Sequence, residues 1–292
     1  MKCLIAANPY GGADSRRRRV EALATALERA GVEAELVWDQ DRSRSLIEAP
    51  DCADRFGGIV SAGGDGTLFD VVNLRPTVPV TMFPLGNENL FARAFDLPVE
   101  ADRAAEMVAA GKTRRIDLGN VGDKRFTLVA SAGFDGRVAH RVAEKRMHAS
   151  GSKQVGRHSY MGPIVSACLG YRFPMMHVAI DGAEPIDAAL VMVFNLNRYG
   201  LGLPLAPDAA PDDGQLDWLV FRRPGRFRLM RYAAAVVLNR HRRLRDVRHG
   251  RARSIRVEAA GEPVPVEIDG EAAGFTPIEV TIEPAALDVI VP

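Results

Sequence analysis

Residues 58–74 read GIVSAGGDGTLFDVVNL. A short apolar run, Gly58 to Ser61, leads into Gly63-Gly64-Asp65-Gly66-Thr67, and a helical stretch, Leu68 to Leu74, follows. The order is strand, tight glycine turn, helix. Glycines let backbone N–H groups approach a polyphosphate, and the N-terminus of a helix favours anions. A plain strand–helix connection has the same outline. Asp65 sets this turn apart, because a carboxylate beside phosphates repels them unless it acts through Mg²⁺, a hydroxyl or a ribose.

The same alternation extends to both sides. Cys3 to Ala7 reads as a strand, Ser15 to Ala30 as a helix with Val20, Leu23, Ala24 and Leu27 on one face, and Ala34 to Trp38 as a second strand. Beyond the turn come a strand at Val78 to Phe83, a helix from about Asn89 and another over Ala101 to Ala110. A β-α-β-α order implies an open, mainly parallel sheet covered by helices. After Lys112 the texture changes to alternating runs punctuated by Gly, Pro and Asp: Arg114 to Val121, Arg125 to Ser131, Val178 to Ile180, Ala188 to Phe194, Leu216 to Phe221, Ser254 to Glu258, Val264 to Ile268, Ile278 to Ile282 and Leu287 to Val291. These predict a mainly antiparallel β domain with helical excursions at Val138 to Tyr171 and Arg226 to Leu244. The expected domains are 1–113 and 114–292.

At 292 residues and 47% apolar content the chain can bury the cores of two domains. A formal net charge of +1 argues against bulk attraction to nucleic acid. Cys3, Cys52 and Cys168 are dispersed and in no metal-ligand spacing, which points to reduced thiols and a cytoplasmic protein. Neither a signal peptide nor a transmembrane run is expected.

Three polar, glycine-containing loops follow predicted parallel strands: Asn8-Pro9-Tyr10-Gly11-Gly12, the Gly63 to Thr67 turn, and Pro84-Leu85-Gly86-Asn87-Glu88-Asn89-Leu90-Phe91-Ala92-Arg93. Ligands bind at that edge of an open α/β sheet. In order, these loops resemble the diacylglycerol-kinase catalytic domain family, which includes bacterial lipid kinases and is related to sphingosine kinases and more distantly to NAD kinases. The resemblance continues through Arg115-Ile116-Asp117-Leu118-Gly119, Ser131-Ala132-Gly133-Phe134-Asp135, Pro211-Asp212-Asp213-Gly214-Gln215-Leu216-Asp217 and Ile268-Asp269-Gly270-Glu271. Asn87 stands where the family has Thr, and Leu90 where it has Asp.

The resemblance implies an ATP-dependent, Mg²⁺-dependent lipid kinase with a β-sandwich second domain and an active site in the interdomain cleft. Asn8, Pro9, Gly11, Gly63, Gly64, Asp65, Gly66, Thr67, Gly86, Asn87 and Asn89 would hold the nucleotide, and Arg16 would face its phosphates. Asp269 or Glu271 would be the general base or the partner of the metal, with Asp65 also catalytic, because a hydroxyl nucleophile needs a nearby proton acceptor. If the Asp-Gly-Glu run is extended, its two carboxylates share one side of the strand; an Asp-Gly hairpin is the other reading. The resemblance also implies a structural Mg²⁺ at Asp212, Asp213 and Leu216; a solvated turn is the alternative.

The Arg226 to Leu244 helix has Phe227, Met230, Ala234, Val237 and Leu238 on one face and Arg228, Arg231, Asn239 and Arg242 opposite. One reading packs the apolar face on the sheet. The other turns the basic face to anionic headgroups, at ~1 kcal/mol per residue near the surface. The expected partner is a lipid presented at a membrane surface, which the protein would meet peripherally, and a homodimer is left open. The rival functions are an NAD kinase and a catalytically silent nucleotide- or lipid-binding regulator.

Overall fold

The computed structural model describes residues 1–8, 14–148, 171–203 and 205–292. The loop residues Pro9 and Gly11, and residues 149–170 of the first expected helical excursion, lie outside the described residues. The chain divides into two compact units, Met1–Ile116 with Ala285–Pro292, and Asp117–Pro284.

The first unit alternates strands and helices: β1 (Lys2–Ala7), α1 (Asp14–Arg29), β2 (Glu33–Val37), α2 (Gln40–Ile47), α3 (Cys52–Arg55), β3 (Gly58–Gly63), α4 (Asp65–Asn73), β4 (Val80–Pro84), α5 (Leu90–Ala94) and α6 (Ala101–Ala110). Its strands run parallel in the order β2-β1-β3-β4. Cys3, Leu4 and Ile5 of β1 are fully buried, and α1 lays Val20, Leu23, Ala26 and Leu27 against the sheet. Such continuous apolar strands belong to a parallel sheet covered on both faces. The strand order reverses direction between β1 and β3, so the crevice beyond their carboxyl ends is the topological switch point.

The second unit holds β5 (Thr113–Val121) from Asp117 onward, then β6 (Lys124–Phe126), β7 (Val129–Ala132), α7 (Phe134–His148), β8 (Met176–Ile180), β9 (Ile186–Ala188), β10 (Leu190–Phe194), β11 (Leu216–Phe221), α8 (Arg226–Val237), β12 (Val247–Ala252), β13 (Ser254–Ala259), β14 (Pro265–Ile268) and β15 (Glu271–Phe275). β16 (Ile278–Ile290) begins here and ends in the first unit. Strands β12-β11-β10-β7-β14-β15 form one antiparallel sheet, and β16, β13, β8 and β9 pair antiparallel in another layer. This is the α/β unit and the β-sandwich-like unit anticipated from the sequence.

Three local differences have physical causes. The run expected as one strand from Arg125 to Ser131 breaks at Thr127-Leu128, where the backbone turns its N–H groups to the Asp269 carboxylate. The segment after Ala285 returns to the first unit, where Val289 pairs with Val80 in parallel register and the Thr81 hydroxyl donates to the Ile290 carbonyl at 2.9 Å. A second domain running unbroken from 114 to 292 leaves out that return. Helix α8 ends at Val237, and it buries Tyr232, Ala235 and Val236 rather than the face expected to pack. Tyr232 sets this rotation: its ring meets Phe221 at 4.9 Å between centroids while its hydroxyl donates to Asp246 at 2.8 Å. No helix among the described residues is long and apolar enough to cross a membrane.

Candidate active site

The three loops of the first unit are built into one another. At the end of β1 the Asn8 amide donates to the Thr67 hydroxyl at 3.1 Å, across the β1/β3 switch point. Gly64 caps α4, and its carbonyl accepts the Thr67 N–H at 3.0 Å and the Leu68 N–H at 3.1 Å. A Cβ on Gly63 would lie 2.2 Å from the Thr67 hydroxyl oxygen, and one on Gly86 would lie 2.7 Å from the Gly64 Cα. The glycines are therefore needed for loop against loop, as well as for any approach of phosphate. Asn89 adopts a left-handed conformation (φ 48°), and its amide both donates to and accepts from the Gly86 backbone, each at 2.9 Å.

Asp65 joins the two loops. Its carboxylate accepts the Leu90 N–H at 3.0 Å and the Phe91 N–H at 3.1 Å, capping the start of α5 from a different segment. Burial raises its pKa, and the backbone bonds from Phe91, Leu90 and its own N–H oppose that shift. A carboxylate offers about four acceptor positions, so this arrangement leaves Asp65 capacity for a ligand. Leu90, in place of the family's Asp, contributes its backbone here. Asn87 is exposed at the loop tip, and Gly66 lies in the first turn of α4. Arg16 is half-buried on α1; its neighbours Arg17 and Arg19 lie over the rings of Trp38 and Phe83.

In the second unit, Asp269 and Gly270 both take positive φ, 48° and 85°, and link β14 to β15 as a two-residue hairpin with Ile268 opposite Glu271. Asp269 and Glu271 are thus not neighbours on one extended strand, which corrects that reading. The buried Asp269 carboxylate accepts the N–H groups of Thr127 (2.8 Å), Leu128 (2.9 Å) and Val129 (2.9 Å) and the Thr127 hydroxyl (3.0 Å). Its acceptor capacity is filled, so it is poorly placed to take a proton from a substrate. Glu271, at the start of β15, is only half-buried.

Beside this hairpin is an acidic cluster that went unremarked in the sequence. Glu267 is buried, and desolvation pushes its pKa up to about 8 with a further contribution from Asp135. Asp135, at the start of α7, is also shifted up by burial and accepts a hydrogen bond from Tyr199 at 2.8 Å. The one available signal was a lone acid in the apolar run Val264 to Ile268.

The Pro211 to Asp217 loop is held by protein groups. Asp117 accepts the Gly214 N–H at 2.7 Å and donates its own N–H to the Pro211 carbonyl at 2.6 Å. Asp213 accepts the Gln215 N–H at 3.0 Å and pairs with Arg251 at 3.3 Å; Arg251 also lies 3.7 Å from Asp217. Leu216 is buried at the start of β11. Among the described residues no three acid, histidine or cysteine side chains gather as a metal site. In this arrangement the Arg251 guanidinium supplies positive charge beside Asp213 and Asp217, the role that the expected Mg²⁺ would have at this loop.

Comparison with known proteins agrees with this architecture. Residues 2–121 match the diacylglycerol kinase catalytic domain, and residues 128–291 match the YegS C-terminal NAD kinase beta sandwich-like domain. A diacylglycerol kinase of Mycobacterium tuberculosis is 30% identical over 297 residues, covering 98% of this chain and 93% of that protein. One of Bacillus subtilis is 27% identical, covering 93% and 90%. The crystal structure of a diacylglycerol kinase from Bacillus anthracis superposes with a TM-score of 0.71 at 19% identity, covering 100% of this chain and 97% of the other, a likeness of fold. With both units matched and a relative at this identity along nearly the whole length, the chain belongs to the diacylglycerol kinase family of lipid kinases.

Proposed function

We propose that the protein transfers the γ-phosphate of ATP, delivered as its magnesium complex, to the hydroxyl of a diacylglycerol-like lipid. The observation that carries this reading is the interlocking of Asn8, the Gly63 to Thr67 turn and the Gly86 to Asn89 loop at the carboxyl edge of a parallel sheet. Phosphoryl transfer is mostly positioning and charge stabilisation, which rigid backbone donors provide. In this scheme Asn8, Pro9, Gly11, Gly63, Gly64, Asp65, Gly66, Thr67, Gly86, Asn87 and Asn89 hold the nucleotide, and Arg16 of α1 faces its phosphates. Glu271 is the proton acceptor. Asp269 is a positioning residue that fixes the hairpin carrying Glu271. The lipid is met at a membrane surface.

Radiolabelled ATP with diacylglycerol in mixed micelles, run beside NAD, tests the proposal. The expected product is labelled phosphatidic acid. Labelled NADP instead would make the protein an NAD kinase. ATP binding without transfer to either acceptor would make it a regulator.

A further inference from the structure

Helix α8 carries its apolar face outward. Phe227 is 89% exposed, Met230 67%, Val237 68% and Leu238 65%. At about 3.6 residues per turn, these four and Ala234 lie on one arc, opposite the buried Tyr232, Ala235 and Val236. Arg226 and Arg231 border the arc on its two sides, and Arg223, Arg240 and Arg243 are exposed around its ends. Between Arg222 and Arg256 the sole acid is Asp246, which pairs with Arg231 and Arg228.

Two features identify what this face meets. A contiguous exposed apolar stripe on a helix marks an interaction surface, and arginines along its edges select an anionic one. The first turn of α8 contains Arg226 and Arg228 and no acid, which opposes the helix dipole in water and becomes favourable beside phosphates. A second copy of this chain would bring the same arginines against each other.

We propose that α8 docks the protein on an anionic lipid bilayer, with Phe227, Met230, Val237 and Leu238 entering the acyl boundary and the bordering arginines contacting lipid phosphates. This rests on the reading of the substrate as a membrane lipid.

Flotation of the full chain with vesicles of phosphatidylcholine, alone or mixed with phosphatidylglycerol, tests the docking without requiring catalysis. The parent should bind the mixed vesicles more tightly. The Phe227→Ser/Met230→Ser variant should lose on the order of tenfold or more at either composition. Arg226→Gln/Arg240→Gln should lose about fivefold per arginine, only on mixed vesicles. Phosphorylation of a short-chain, water-soluble diacylglycerol should be the same in all three. If parent and variants bind vesicles equally, the proposal is overturned. It is also overturned if Phe227→Ser/Met230→Ser melts lower or dissociates a dimer, since the face would then be covered by protein. A parent that binds vesicles through this face yet phosphorylates no diacylglycerol would sink the kinase reading and leave the docking intact.

Discussion

Asp269 is bonded to Thr127 twice, through the backbone N–H at 2.8 Å and through the hydroxyl at 3.0 Å, across 142 residues of sequence. Asparagine at 269 would turn an amide group toward backbone donors. Asp269→Asn should therefore cost about 2 kcal/mol or more of stability, read by thermal or urea unfolding. Glu271→Gln should leave the melting curve in place and lower lipid phosphorylation by roughly 10²–10⁴-fold, the usual contribution of a general base. The reverse pattern, a stable and slow Asp269→Asn beside a fully active Glu271→Gln, would return the base to Asp269.

Asp65→Ala should do two separable things. Freeing the Leu90 and Phe91 N–H groups should cost about 1 kcal/mol, the scale of a lost helix cap. ATP affinity, measured by calorimetry, should fall further than that stability change accounts for. Normal ATP binding in a folded variant would remove Asp65 from the nucleotide site.

EDTA and Mg²⁺ should leave the melting temperature of the nucleotide-free protein unchanged, because Arg251 balances the charge of Asp213 and Asp217. Arg251→Ala should lower it. A rise of the parent's melting temperature on adding Mg²⁺ would reveal a bound ion, since a ligand of the folded state alone stabilises it.

Glu267 makes stability depend on pH. Its carboxyl is raised from 4.5 to about 8 in the folded protein, so the fold favours the protonated form. That contribution is complete below about pH 4.5 and is lost as pH rises through about 8. Asp269, raised to about 6, acts in the same direction at lower pH, and burial raises Asp135 as well. Glu267→Gln should gain melting temperature relative to the parent as pH goes from 5 to 8. A constant difference across that range would show that Glu267 is charged in the folded state.

The parallel half of the fold was readable because glycines and prolines punctuate its strands and each helix carries an apolar stripe. Helix α2 escaped notice because it buries only Ser43 and Ile47 and is otherwise polar; its signal was Asp39, whose side chain accepts the Arg42 N–H. Strand β12 was hidden by Arg248, His249 and Arg251 on its exposed positions. Ala188 to Phe194 read as one strand, yet Ile186–Ala188 and Leu190–Phe194 belong to different sheets. The candidate site was legible as loops and residue types. What each carboxylate bonds to was not, because the partners of Asp65 and Asp269 are distant in sequence and set by packing.

The return of residues 285–292 to the first unit has a consequence for how the protein is made. Val289 pairs with β4, and Val291 donates its N–H to the Lys112 carbonyl at 3.0 Å. A ribosome that has released residues 1–113 has not yet supplied the strand that covers β4, and that edge is open to pairing with other chains. The proposed nucleotide site therefore sits in a sheet that closes only when synthesis reaches residue 285 and beyond. A fragment ending at residue 113 should aggregate, whereas joining 285–292 to it through a short linker should restore a soluble unit.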